Sequence, residues 1–284
     1  MKYPHIVYRQ VLYFPILMMA WLACAASSDD PAPEAKPSPP AWVGTELKVM
    51  AYNIHHCNPP SKPGVIDVEA VAKVIQAASP DLVALQEVDV HTLRSGKELN
   101  QAKAIAELTG MHYYFRKAID HQEGEYGIAV LSKFPIEDTL GFALPMAPGL
   151  SGEQRAVAAV KVKLPGGRIL IFASTHLDLK EEHRMLQAQK ITAELAADNS
   201  AVIVAGDFNA VAGAGSINVM DQWFRRTCVG NCPGTIPVEN PTRVIDYIFY
   251  RPLTDISVRE HRVVAETYAS DHRPVMAVLE VKNN

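Results

Sequence analysis

The sequence predicts an α+β fold in which one sheet packs on another with helices outside. Short β-branched runs outnumber amphipathic helical stretches and often follow one another directly, unlike the strict alternation of a doubly wound parallel sheet. No segment recurs at a fixed period, which removes solenoids and propellers. With 48% hydrophobic and 20% charged residues over 284 positions, the chain has ordinary globular composition and enough length for one substantial core.

The first 25 residues stand apart. Lys2 and Arg9 precede an apolar run at 11–22, and no acid occurs before Asp29, the pattern of an export signal. The run is short for a spanning helix of about 20 residues, and Pro15 interrupts it. Residues 1–25 therefore read as a signal peptide rather than a retained anchor. Ala23-Cys24-Ala25 suits an ordinary signal peptidase, whereas Leu22-Ala23-Cys24 resembles the end of a bacterial lipoprotein signal, which would attach the protein to a membrane through a lipid on Cys24. The stretch 26–44, rich in Ala, Ser and Pro, has almost nothing to bury and reads as a disordered tether. It tilts the choice toward lipidation, and thus toward a cell-envelope lipoprotein rather than a secreted or periplasmic protein. Residues 45–284 hold the patterned domain.

Within that domain a strand is expected at 47–52. Asp67 caps a helix at 68–78 with Val71, Val74 and Ile75 on one face, and Pro80 ends it. The apolar run 82–86 reads as a buried strand. A helix follows at 97–108, closed by Gly110. Strands are expected at 112–115, 127–131, 156–162 and 169–174, then the longest helix at 181–197. Further strands fall at 202–205, 244–250, 256–263 and 274–281.

The formal charge is −4, and loss of Lys2 and Arg9 with the signal makes it more negative. No basic run exists to grip duplex nucleic acid. Cys228 and Cys232, four apart in a loop-like stretch of an exported chain, suggest a local disulfide; half a metal site is the alternative, without a second close Cys or His pair to complete it. With Cys24 lipidated, Cys57 is left unpaired.

Polar residues cluster where apolar runs stop. Glu87 follows 82–86, His176 and Asp178 follow 169–174, and Asp207 and Asn209 follow 202–205. Asp246, between Ile245 and Ile248, faces a core or a site and needs a histidine or a metal as partner. Such a set suits phosphoester hydrolysis, because a hard cation on carboxylate and amide oxygens offsets charge gathering on the phosphoryl group while a carboxylate orients water. Each residue also has a plain structural reading: a turn or cap for Asp207 and for Ser270-Asp271-His272, a satisfied strand end for His176. His55 and His56 are adjacent, and on a strand adjacent side chains point to opposite faces, so at most one is expected to function.

Seven motifs in order carry a resemblance: Tyr52-Asn53-Ile54, Leu85-Gln86-Glu87, the run from Tyr126 to Ser132, Ser174-Thr175-His176-Leu177-Asp178, Gly206-Asp207-Phe208-Asn209, the run from Ile245 to Phe249, and Ser270-Asp271-His272. Together they resemble the endonuclease/exonuclease/phosphatase superfamily, whose members include deoxyribonucleases, sphingomyelinases and inositol polyphosphate phosphatases. The resemblance implies a four-layer αββα sandwich of two mixed β-sheets flanked by helices. It also implies roles: Asn53 and Glu87, with Asp271 nearby, would hold Mg²⁺ or Mn²⁺; Asp207 would activate water; Asn209 would help hold the phosphate; His176 and His272 would contact it; Asp246 would pair with one histidine; and Tyr126 would add a contact. Asn53-Ile54-His55-His56-Cys57 is similar to a bacterial branch that commonly has Gly at the last position, so Cys57 is a departure. Arg94 and Arg155 could add phosphate contacts or serve in surface ion pairs. The substrate expected is a small or lipid-derived phosphoester, with a secreted nuclease and a catalytically silent binding module as alternatives.

Overall fold

The computed structural model describes residues 44–197, 200–252 and 254–283. The expected signal peptide, Cys24 and all of the tether but its last residue lie outside them. Gly44, expected in the tether, instead begins the first strand, where it pairs with Lys282.

In chain order the elements are β1 (Gly44–Asn53), α1 (Val68–Ala78), β2 (Leu82–Val90), α2 (Gln101–Thr109), β3 (His112–His121), β4 (Gly124–Ser132), β5 (Ile136–Ala143), β6 (Ala156–Lys163), β7 (Ile169–His176), α3 (Glu181–Leu195), β8 (Ala201–Asp207), α4 (Gly215–Asp221), β9 (Arg225–Arg226), β10 (Asp246–Arg251), β11 (Ile256–Val263) and β12 (Val275–Lys282). One six-stranded sheet has the order β11-β12-β1-β2-β4-β3 and the other β5-β6-β7-β8-β10-β9. Each is mixed. The parallel pairs are β1 with β2 and β7 with β8, and each is bridged by a helix, α1 or α3, because parallel neighbours need a long crossover.

Side-chain alternation sorts the strands into layers. Leu47, Val49 and Ala51 of β1 and Leu82 and Ala84 of β2 face Leu170 and Phe172 of β7 and Ile203 and Ala205 of β8 between the sheets. Met50, Tyr52, Val83 and Leu85 face the other way, against Val71 and Ile75 of α1 and Ile105 of α2. Val202, Val204 and Phe249 pack outward against Ile191 of α3 and Ile217 of α4. The result is the expected αββα stack. Each fully buried Val, Leu or Phe contributes about 1.5–3 kcal/mol, so three continuous apolar layers outweigh the modest helical propensity of the short outer helices.

Local signals set the helix ends. The Asp67 carboxylate accepts the Ala70 N–H at 2.9 Å, and α1 stops at Ser79, whose φ is 49°, just before Pro80. α2 begins at Gln101 rather than at 97, because the Asn100 side chain caps it by accepting the Lys103 N–H at 3.0 Å. β5, α4 and β9 are additional to the elements expected from sequence. A disulfide joins Cys228 and Cys232, and Cys57 is free and buried.

Candidate active site

The site is the polar end of the apolar layer between the sheets. In β1 the inward row Leu47, Val49, Ala51 continues to Asn53; in β7 the row Leu170, Phe172 continues through Ser174 to His176; in β8 the row Ala201, Ile203, Ala205 continues to Asp207. β10 enters with Asp246, two residues before inward Ile248. Register then aligns these ends: Asn53 stands beside Gln86, His176 beside Asp207, and Asp207 beside Asp246. Period-two alternation and strand pairing thus bring residues up to 193 positions apart in sequence, Asn53 to Asp246, to one edge.

Two backbone features complete the edge. Glu87 lies in a β-bulge, where the register with β4 shifts between Gln86 and Val88, and its φ is 59°. Bulges re-aim a side chain, and here the Glu87 carboxylate accepts the Asn53 amide at 3.0 Å. Gly206 has φ 154°, and a Cβ there would stand 2.0 Å from the Thr175 carbonyl oxygen; only glycine lets β8 approach β7 so closely beside Asp207.

Asp207 is the focus. Its Oδ2 lies 3.1 Å from Asn53 Nδ2, 3.5 Å from His176 Nε2 and 3.7 Å from His272 Nε2, while Oδ1 accepts the Asn209 N–H at 2.8 Å. Burial and then the charge of Asp246 push Asp207 up to about 7, against the pull of His272, the Asn209 N–H and Asn53. The partner that buried Asp246 requires is His272, whose Nδ1 sits 3.0 Å from Oδ2. Burial disfavours the His272 imidazolium, but Asp246, Asp207 and Asp271 together outweigh it and push the group up to about 10. His176 goes the other way: burial first, then the Arg155 guanidinium and His272, hold it well below the ordinary histidine range. Arg155 Nη1 lies 3.2 Å from His176 Nδ1. On the other side of the ring Nε2 lies 3.0 Å from Asn209 Nδ2, which also donates to the Leu177 carbonyl at 2.9 Å, so donors face both ring nitrogens and disfavour a second proton on the ring.

Asp207, Asn209, His176, His272 and Arg155, with Glu87, Tyr126, Glu153, Leu179, Arg243, Ile236 and Ile245, line an open pocket of about 320 Å³. Burial pushes the Tyr126 hydroxyl far up, so it stays a donor. Arg155 is buried and faces the pocket beside Glu153. Arg94 follows its ion-pair reading: Nε and Nη2 hold both oxygens of buried Asp89, at 2.7 and 2.9 Å, and Ser95 and Thr92 hydroxyls join them. Asp271 flanks His272 with its Oδ1 3.4 Å from Ser270 Oγ, which donates to the Asn53 carbonyl at 2.7 Å. Asp178 shapes the turn after β7, accepting N–H groups of Lys180 and Glu153.

Sequence reasoning missed three contributors. Gln86 and Ser174 are clamped together across the two sheets, Nε2 donating to Oγ at 3.0 Å and Oγ donating to the Leu85 carbonyl at 3.0 Å. Their signal was a polar residue continuing the inward period of an apolar strand. Arg243, exposed on the pocket rim, had no such signal because it lies in a loop.

The strand placement assumed for His55 and His56 is corrected. The strand ends at Asn53, and His55, His56 and Cys57 form a turn with φ of 46°, 42° and 57°. Left-handed backbone costs about 1–2 kcal/mol at each non-glycine residue. It also cancels the strand alternation that would have separated the two rings, whose centroids are 4.6 Å apart. Cys57 occupies a position with glycine-like φ, in agreement with its reading as a departure from Gly. Burial, with Arg94 and His55 nearby, pushes the His56 imidazole down to about 4.

The donor set fits a hard cation. Asn53, Glu87 and Asp271 offer amide and carboxylate oxygens, the ligands Mg²⁺ and Mn²⁺ take. Carboxylates of Glu87 and Asp207 already converge on one Asn53 amide nitrogen, the convergence that a divalent charge favours.

Two sheets with helices outside, and a carboxylate, amide and imidazole site where their inner rows end, define a class of sandwich hydrolases. The chain belongs to the endonuclease/exonuclease/phosphatase family, whose model matches residues 50–272. Escherichia coli (strain K12) has a relative, the uncharacterized protein YbhP, 26% identical over 250 residues that cover 83% of this chain and 96% of YbhP. An endonuclease/exonuclease/phosphatase from Beutenbergia cavernae shares the fold at TM-score 0.69 and 24% identity, over 84% of this chain and 72% of its own. A mannosyl-6-phosphatase from Bacteroides thetaiotaomicron does so at 0.67 and 21%, over 82% and 99%. Family membership supports phosphoester hydrolysis as the general chemistry.

Proposed function

We propose that the chain hydrolyses a small or lipid-derived phosphoester by attack of water, with Mg²⁺ or Mn²⁺ as cofactor. The observation that carries this reading is the convergence of Asn53, His176 and His272 on Asp207 Oδ2. Bound by Asn53, Glu87 and Asp271, the cation would supply charge to offset that gathering on the phosphoryl oxygens. Asp207, pushed up to about 7, can take a proton from water at neutral pH. The Asn209 N–H fixes its other oxygen and so its orientation. His272 offers a charged N–H to non-bridging oxygens, and neutral His176 stands beside it, held between Arg155 and Asn209. Arg155 at the wall and Arg243 at the rim add positive charge for an anionic substrate.

The acidic chain without a basic run weighs against a duplex nucleic acid substrate. Export fits the Cys228–Cys232 disulfide, and we extend the proposal to a lipid on Cys24 holding the enzyme at the cell envelope. With bis(p-nitrophenyl) phosphate and Mg²⁺ or Mn²⁺, release of nitrophenol is expected, and EDTA should abolish it. Full activity in EDTA would refute the cofactor. A parallel panel of plasmid DNA, RNA, sphingomyelin, phosphoinositides and simple phosphodiesters tests the substrate class, and rapid plasmid nicking would move it to nucleic acid.

A further inference from the structure

The turn after β1 assembles a group of ligands that the hydrolytic reading leaves unused. One ring nitrogen from each of His55 and His56 and a carboxylate oxygen of Glu87 all lie within 4.8 Å of one another. The strained turn that brings them there is held from four directions. Cys57 N–H donates to the Ile54 carbonyl at 2.8 Å, Asn58 N–H to that of His55 at 2.8 Å, and Asp67 N–H to that of Cys57 at 2.7 Å. The Gln101 side chain donates to the His56 carbonyl at 2.7 Å. Strain that the surroundings over-determine in this way is characteristic of functional positions.

Two further observations point to a ligand. His55 Nδ1 donates to the Asn58 carbonyl at 2.8 Å, which leaves the lone pair on Nε2 and orients the ring, the device by which proteins present histidine to a metal. His56 Nδ1 is buried with no hydrogen-bond partner among the described residues, although buried polar atoms are nearly always paired.

We propose that His55, His56 and Glu87 form a second cation site, one that takes a divalent ion of the Zn²⁺ class, with Glu87 shared between it and the oxygen ligands Asn53 and Asp271. Two imidazoles and one carboxylate suit Zn²⁺ or Co²⁺ over Mg²⁺, so the two halves of the edge select different metals. The site stands on ring and carboxylate geometry and does not depend on what the enzyme hydrolyses.

Co²⁺ is the probe, because its visible absorption reports nitrogen coordination without turnover. Untagged full-length protein in excess Mg²⁺ is titrated with Co²⁺ and then with Zn²⁺. One Co²⁺ per chain is expected, with a band that Zn²⁺ removes. His55→Asn and His56→Asn should each weaken Co²⁺ binding by at least about 10-fold. Asn tolerates positive φ, so the turn is retained, and thermal unfolding checks this. His272→Ala should keep the band. Absence of Co²⁺ binding to the wild-type chain, equal affinity in wild type and both Asn variants, or loss of the band only in His272→Ala would each overturn the site. Since the readout is binding, a chain inactive on every phosphoester leaves this result standing, and an active chain does not supply it.

Discussion

His176 and His272 reach the same oxygen of Asp207, at 3.5 and 3.7 Å, and the fold gives them opposite charge states. Burial cannot be the cause, since both side chains are 6% exposed. The difference lies at Nδ1, where His176 meets the Arg155 guanidinium and His272 meets the Asp246 carboxylate. Asp246, with Asp207 and Asp271, therefore outweighs desolvation at His272, whereas Arg155 reinforces it at His176. One imidazole is thereby held as a cation and the other as a neutral ring, without any difference in residue type.

Removing the shared point breaks the comparison most severely. Asp207→Asn should lower the rate on bis(p-nitrophenyl) phosphate by about 10²–10⁴; a folded variant within a few-fold of wild type would reject Asp207 as the base. His272→Ala, which deletes the charged donor, should cost about 10²–10³ in kcat, and an unchanged kcat would show that the imidazolium is not used. Asp246→Asn tests the charge itself through the pH profile. On the proposed roles Asp207 must be deprotonated and His272 protonated, so the rate should rise through about pH 7 and fall through about pH 10. Asp246 raises both groups, and its neutralisation should move both limbs to lower pH; limbs that stay in place would disprove the pairing. Arg155→Met is the mildest change, about 10-fold in rate for one charge-assisted hydrogen bond. Without the guanidinium the His176 pKa should rise, and an NMR titration in which the His176 ring signals are unaltered would contradict the cause assigned to its neutrality.

Much of this edge was legible in the sequence, because strand ends are marked by an apolar run stopping at a polar residue. Glu87, His176 and Asp207 announce themselves this way. What stayed hidden depends on backbone conformation or on distant partners. Nothing in the letters His55-His56 shows that the chain turns left-handed, and the strand assumption separated two rings that are in contact. Arg94 carries the same fork as Arg155, and only the fold reveals that Asp89 holds one by two nitrogens while the other meets Glu153 and His176 at the wall of a pocket. β5 escaped because Ile136–Ala143 is an edge strand with mostly exposed acidic and small residues, and α4 because a helix of 7 residues has little periodicity to read.

The bulge at Glu87 also separates the site from the scaffold that carries it. Gln86 pairs with Ile128 and Val88 with Gly127, consecutive residues of β4, so Glu87 itself has no partner in the ladder. Inward Gln86 and outward Val88 already alternate correctly without it. The carboxylate is thus an insertion into a finished scaffold. Deleting this one residue should leave sheet, core and register in place and remove only the carboxylate.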